Sequence, residues 1–192
     1  MSTVKFQPPQ YHSLTPYLVV KGAAKAIDFY KNAFGASEMF RMPTPDGRVG
    51  HAELKIGDAA LMLADEFPEM GVVSPSSLGN SPVGILLYVA DADAVTNKAI
   101  SLGATVEKPL ANQFYGDRSA TLRDPFGHKW TIATHVEDVT PEEMERRMAA
   151  MSKKYVQRIK HSTNRSSSRA PFASARFLQC ASRCEGPCVS LR

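Results

Sequence analysis

His51 and Glu53 stand two residues apart in Gly50-His51-Ala52-Glu53-Leu54-Lys55-Ile56, a run whose alternation of polar and apolar residues predicts a strand. A period of two puts both side chains on one face, side by side. An imidazole next to a carboxylate can be a general base with its orienting partner. It can also supply two ligands of a metal site that needs a third group, or be a wet pair satisfied by water. Spacing alone leaves all three open.

Strand alternation extends the choice of candidates. If Leu18, Val20, Leu54, Ile56, Leu61, Leu63, Ile85, Leu87, Val89, Trp130 and Ile132 face the helices, the opposite faces carry Thr15, Tyr17, Val19, His51, Glu53, Met62, Leu86, Tyr88, Leu122 and Thr131. His51 and Glu53 are then the candidate catalytic pair, and Tyr17, Met62, Tyr88 and Thr131 candidate ligand contacts. Tyr115-Gly116-Asp117-Arg118 adds a glycine that permits close backbone approach and two side chains able to hydrogen-bond a polar ligand. A turn with a surface ion pair explains the same four residues equally well. His128 follows a turn glycine, where a structural hydrogen bond is expected and a ligand role is the alternative, and His135 lies at the last strand's end, where a metal role is open but has no evident partners. Cys180, Cys184 and Cys188 lack a fourth ligand at regular spacing and make a weak zinc site.

These side chains need elements to hold them. Residues 1–13 are a polar, Pro-containing arm. A strand is predicted at 15–20, then a helix from Ala23 to Phe34, where Ala23, Ala26, Ile27, Tyr30 and Phe34 recur at helical spacing and Gly35 stops the run. A strand at 37–41 leads to a hairpin over 47–63. Residues 65–82, rich in Pro, Gly, Ser and Asn, read as a linker. The pattern then returns: a strand at 83–89, a helix capped by Asp91 and closed by Gly103, a short strand at 106–109, a loop or strand at 111–115, and a hairpin turning at Asp124-Pro125-Phe126-Gly127. Val20 and Val89, Gly47 and Gly116, Met62 and Thr131 each stand 69 residues apart. Two copies of such a unit predict a duplicated βαβββ module closing a core between its copies.

Thr140-Pro141-Glu142-Glu143 predicts a third helix, over 139–155, with Thr140 as N-cap and Glu143 completing a capping box. Its Met144, Met148 and Met151 stripe one face, for packing on the chain's own core or for a dimer contact. From 156 to 192 the chain is Ser- and Arg-rich without a period, and disorder is expected.

Charge sharpens that boundary. The net formal charge is +4, but Val156 to Arg192 holds seven Lys or Arg against one acid, which leaves residues 1–155 with a net charge of −2. Nothing in that balance suits nucleic-acid binding by the core. All three cysteines lie in the tail, no apolar run approaches a membrane span, and cytoplasmic residence is expected.

The run from Tyr17 to Ala36 (Tyr17-Leu18-Val19-Val20-Lys21-Gly22-Ala23-Ala24-Lys25-Ala26-Ile27-Asp28-Phe29-Tyr30-Lys31-Asn32-Ala33-Phe34-Gly35-Ala36), with Asp124-Pro125-Phe126-Gly127-His128-Lys129-Trp130, resembles the vicinal-oxygen-chelate superfamily of glyoxalases, bleomycin-binding proteins and dioxygenases. His51-Ala52-Glu53-Leu54 and Phe114-Tyr115-Gly116-Asp117-Arg118 resemble its PhnB-like branch. The likeness covers residues 14–138, as modules 14–65 and 83–138. It implies an α+β fold of two tandem βαβββ modules, whose curved mixed sheet surrounds a cavity with the helices outside. It also implies that dimers are common. In metal-dependent members the ligands lie on the first and last strands of each module, positions that fall here on Thr15, Met62, Gly84 and Thr131. None is a good ligand for Zn²⁺ or Fe²⁺, so no metal residues are assigned and no cofactor is expected, with a divalent metal left as the exception.

The function expected is binding or sequestration of an apolar or aromatic small molecule by a homodimer, without nucleic acid or membrane as partner. The alternative is a metal-dependent lyase, isomerase or dioxygenase-like enzyme using His51 and a non-standard metal site. Whether the chain is an enzyme stays open.

Overall fold

The computed structural model describes residues 4–152. The Cys180, Cys184, Cys188 spacing and the disorder expected of 156–192 lie outside the described residues.

The duplication is visible in the element order. Strand β1 (Tyr17–Val20), helix α1 (Ala23–Phe34), β2 (Ser37–Pro43), β3 (Val49–Ile56) and β4 (Ala59–Asp65) make the first module. β5 (Gly84–Tyr88), α3 (Ala92–Ser101), β6 (Thr105–Asn112), β7 (Asp117–Arg123) and β8 (Lys129–His135) make the second. The sheets are ordered β1-β4-β3-β2 and β5-β8-β7-β6. In each, the strand before the helix pairs parallel with the last strand of its module, and the other neighbours are antiparallel. The fold is α+β, with two four-stranded mixed sheets built from tandem βαβββ units.

Helix α1 forms because its apolar residues recur at helical spacing: Ala23, Ala26, Ile27, Tyr30, Ala33 and Phe34 are all buried. Gly35, at φ 68°, supplies the left-handed residue that ends it, and its N–H reaches the Tyr30 carbonyl. The start of α1 has no local cap. Asp65, at the end of β4, accepts from the Gly22 and Ala23 N–H groups at 2.8 Å each, and from the Val49 N–H at 2.8 Å. In α3 that task is divided. Asp91 accepts from the Ala94 N–H at 2.9 Å, and Thr134, 69 residues after Asp65, accepts from the Ala92 N–H at 2.8 Å.

The helix-facing residues of both sheets join one core that includes Leu18, Val20, Leu54, Leu63, Trp130 and Ile132, with Ile85, Leu87 and Val89 packed against it. Tyr30 and Phe34 of the first module meet Trp130 of the second, at ring-centroid distances of 5.4 and 4.7 Å. Buried beside them is Asp124. Its Oδ2 accepts from the Tyr30 hydroxyl at 2.7 Å and from Trp130 Nε1 at 2.9 Å. Its Oδ1 accepts from the Phe126 and His128 N–H groups, each at 2.9 Å. A charge taken out of water is tolerable only with its lone pairs filled, and four donors fill these. Burial, then Asp124, holds the Tyr30 hydroxyl well above its ordinary pKa. The His128 ring meets the Val19 carbonyl of the first module at 3.1 Å.

Three expectations change. Leu122 was assigned to the face away from the helices, yet it is 1% exposed and part of the core. The hairpin register pairs it with Trp130, and paired residues share a face. Residues 105–112 form one strand with irregular register rather than a short strand followed by a loop. The stretch 65–82 carries structure: a 3₁₀ turn at Pro68–Met70 and the short helix α2 at Pro75–Leu78. Buried Glu66 organises it, accepting from the Ser74 N–H at 3.0 Å, the Ser74 hydroxyl at 2.6 Å and the Ser77 hydroxyl at 2.7 Å. α2 sits so tightly on the second hairpin that a Cβ on Gly127, at φ +93°, would lie 2.9 Å from the Ser76 nitrogen.

Residues up to Arg147 form one compact unit, and a second begins at Met148. Residues 141–152 are helical, and the Thr140 hydroxyl accepts from the Glu143 N–H at 3.3 Å. The Glu143 carboxylate goes to Arg146 and Arg147, and those hydrogen bonds lower its pKa to about 2. Among the described residues, no helix is long and apolar enough to cross a membrane.

Candidate functional site

The helix-free face of the first sheet brings together four of the residues singled out above. Register places Phe40 of β2 opposite Glu53 of β3, Glu53 opposite Met62 of β4, and Met62 opposite Tyr17 of β1. These four form a row straight across the sheet, with Met42 and His51 paired in the next row. A bulge between Glu38 and Phe40 is what turns Phe40 to this face. Tyr17 and Phe40 are 51% and 49% exposed. The side chains of His51 and Glu53 are 22% and 17% exposed.

The polar groups of this patch form a chain. The Tyr17 hydroxyl lies 3.0 Å from His51 Nδ1, and His51 Nε2 lies 3.3 Å from Glu53 Oε1. A carboxylate can only accept, so the arrangement that satisfies every atom puts the proton on Nε2 and lets Nδ1 accept from Tyr17. Tyr11, from the N-terminal arm, lies near Glu53 at the other end. Its hydroxyl, then His51, holds the Glu53 carboxyl below its ordinary range against the opposing effect of burial. Glu53 in turn raises the Tyr11 hydroxyl, and partial burial raises that of Tyr17. The rings of Tyr17 and Phe40 stand 5.5 and 6.2 Å from the imidazole. Chemically this is an aromatic and thioether surface crossed by one line of hydrogen-bonding groups, suited to gripping a flat ligand and orienting its polar end.

The second sheet carries a different cluster. Tyr88 and Asp117 come together: the tyrosine hydroxyl donates to Asp117 Oδ2 at 2.8 Å. His135 Nδ1 lies 2.8 Å from Oδ1, and its Nε2 lies 3.0 Å from the exposed Asp138. Asp117 first, then Asp138, raises the His135 pKa, and Asp117 raises that of Tyr88. Thr131 sits mid-sheet, opposite Leu86 and Thr121, its hydroxyl 3.4 Å from that of Thr121.

Arg118 does not join Asp117. Neighbours along a strand point to opposite faces, and Arg118 reaches Asp93 on α3 through two bonds of 2.6 and 2.7 Å, and Asn112 at 3.0 Å. The Tyr115 ring packs on Phe114, with centroids 5.2 Å apart, and is 40% exposed.

Sequence reasoning missed Tyr11 and Phe40, and left His135 without its partner. For His135 a signal existed: counting back from the Asp124-to-Gly127 turn pairs it with Asp117. Phe40 depends on the bulge and Tyr11 on the course of the arm, and no local pattern announces either.

The positions where related folds hold a metal carry Thr15, Met62, Gly84 and Thr131, a donor set of hydroxyls, a thioether and a glycine. Among the described residues, no three His, Cys, Asp or Glu side chains are grouped to hold a metal ion. These residues do not fit a Zn²⁺ or Fe²⁺ centre, and no chemistry is routed through one here.

Comparison with known proteins points one way. Residues 10–132 match the family model described as the Glyoxalase/Bleomycin resistance protein/Dioxygenase superfamily. An uncharacterized protein of Mycobacterium tuberculosis is 46% identical over 143 residues, covering 73% of this chain and 82% of that protein. The solved structure of an Arabidopsis thaliana gene product matches with a TM-score of 0.53 at 28% identity, over 64% of this chain and 98% of that one. A Bacillus cereus protein described as a putative 3-demethylubiquinone-9 3-methyltransferase, PhnB protein, matches with a TM-score of 0.51 at 18% identity, over 64% of this chain and 99% of that one. At that identity the likeness shows the fold alone.

Proposed function

The chain belongs to the glyoxalase/bleomycin resistance protein/dioxygenase superfamily, and from that premise we propose that it binds an apolar or aromatic small molecule on the helix-free face of its first sheet. The observation that carries this reading is the Phe40, Glu53, Met62, Tyr17 row beside the Tyr17 to His51 to Glu53 hydrogen-bond chain. Broad, half-exposed aromatic area next to a few oriented polar groups is the usual composition of a ligand surface. The work proposed is binding or sequestration of that molecule.

A homodimer is part of the proposal. Leu86 and Tyr88 on the second sheet are as exposed as Tyr17 on the first, and a second copy laid over these faces would enclose the ligand. Residence in the cytoplasm is proposed with it.

One observation favours a second reading. His51 is held between a hydroxyl and a carboxylate, as a general base would be. Acid–base turnover of a bound molecule would then depend on His51, and retained turnover in His51→Gln would remove it.

A thermal-shift screen of aromatic antibiotics and metabolites tests the binding reading. A ligand at a hundredfold excess over its Kd adds about 2.7 kcal/mol to stability. A shift lost in a Tyr17→Ala, Phe40→Ala double variant supports the site, and a shift the variant keeps refutes it.

A further inference from the structure

Resting on that binding reading, we infer that the ligand is an aromatic organic cation, held with its positive group against Glu53 and its ring on Phe40 or Tyr17. The row across the first sheet has a single carboxylate, with an aromatic ring at each end and the Met62 thioether between Glu53 and Tyr17. Three strand spacings separate its ends, about 14 Å. Ring faces and a thioether carry negative or polarisable electron density, and a carboxylate carries the full charge. Every strong feature of the row therefore favours a positive ligand over a negative one.

The partners of Glu53 do not cancel that preference. His51 Nε2 lies 3.3 Å from it and Tyr11 stands nearby, and these neighbours favour its ionised form without neutralising it when the imidazole carries one proton. The 17% of its side chain that stays exposed leaves a route for a ligand ammonium. The strongly basic side chain on this face is Lys55, exposed and two residues further along β3, paired in register with Ser37 and Ala60. Exposed to water, that ammonium interacts only weakly with Glu53. Arg41 and Arg48 are already engaged, by Glu38 and by Asp46 with Glu69.

Three indoles with the same two-carbon linker separate charge from the ring's own contribution: tryptamine, tryptophol and indole-3-propionate. Calorimetric titration of the full chain should find tryptamine about fivefold or more tighter than tryptophol, and indole-3-propionate weakest. Glu53→Gln, whose thermal midpoint reports that it folds, should bring the three within about twofold, and added salt should shrink the preference in the parent chain. Equal or tighter binding of indole-3-propionate overturns the assignment, as does a tryptamine preference that Glu53→Gln retains. Absence of saturable binding by all three at millimolar concentration also overturns it. If uncharged aromatics from the thermal-shift screen still bind through Tyr17 and Phe40, that failure belongs to the charge assignment and leaves the binding reading intact.

Discussion

The two modules share a backbone plan and differ in what they show on the face away from their helices. On the first sheet that face is large and soft, with Phe40, Met42, Met62 and Tyr17 around a chain centred on His51. On the second, the central strands show small, buried Ser119, Thr121 and Ala133, the exposed Leu86 and Tyr88 stand on the edge strand β5, and the polar chain lies at the sheet's end, centred on Asp117. The helix-facing residues, the glycine stops and the tie from the last strand to the helix start recur in both. What recurs is what a βαβββ unit needs in order to fold; what differs is free to specialise. The proposed ligand site therefore lies on one module rather than on both.

The largest test of this contrast is Asp124, buried where β7 enters its turn; the matching end of β3 has the exposed Lys55 followed by the apolar Ile56, with no buried carboxylate there. Asp124→Ala orphans the Tyr30 hydroxyl, the Trp130 N–H and two backbone donors, and should cost about 3 to 5 kcal/mol in chemical denaturation. Lys55→Ala should change stability by less than about 0.5 kcal/mol. Comparable losses would break the claim that the second hairpin alone anchors the joint core.

Next in size is the helix tie. Asp65→Ala removes the acceptor of three N–H groups and should cost about 2 to 3 kcal/mol, whereas Thr134→Val removes the acceptor of the Ala92 N–H and the donor to the Val89 carbonyl and should cost about 1 to 2. Equal values would mean that the two ties are interchangeable.

The polar clusters should separate by pH. His135 has a folded pKa raised above its ordinary 6.5, so its stabilisation is complete below that value and is lost as pH rises through the folded pKa. Glu53 has a folded pKa lowered below its ordinary 4.5, so its contribution is complete above 4.5 and is lost as pH falls through the folded value. In thermal midpoints measured from pH 3 to 9, His135→Gln should flatten the alkaline limb and Glu53→Gln the acid limb. A variant that alters the opposite limb would contradict the pairing described here.

The smallest effect is expected at Arg118. Its pairing with Asp93 is partly exposed, so Arg118→Gln should leave the thermal midpoint close to that of the parent chain and ligand affinity unchanged. A clear loss of binding would bring the second module into the site.

Much of this was legible in the residues. Period two placed Tyr17, His51, Glu53 and Met62 on one side of the first sheet, because side-chain direction in a strand is set by parity alone. The same rule, applied from the turn, pairs Leu122 with Trp130 and Asp117 with His135, so the misplacement of Leu122 was an error of register that the turn itself corrects. Arg118 shows the limit of adjacency: consecutive residues on a strand read as one motif but serve opposite faces.

The sequence by itself determined the repeat, the helix faces, the turns and the burial of Trp130, since each follows from local periodicity or from backbone preference within a few residues. Only the tertiary structure decided that Tyr30 would complete Asp124 across 94 positions of chain, that Tyr11 would stand near Glu53, and that a bulge would aim Phe40. Such contacts depend on how separate elements meet, and no short window of residues holds both partners.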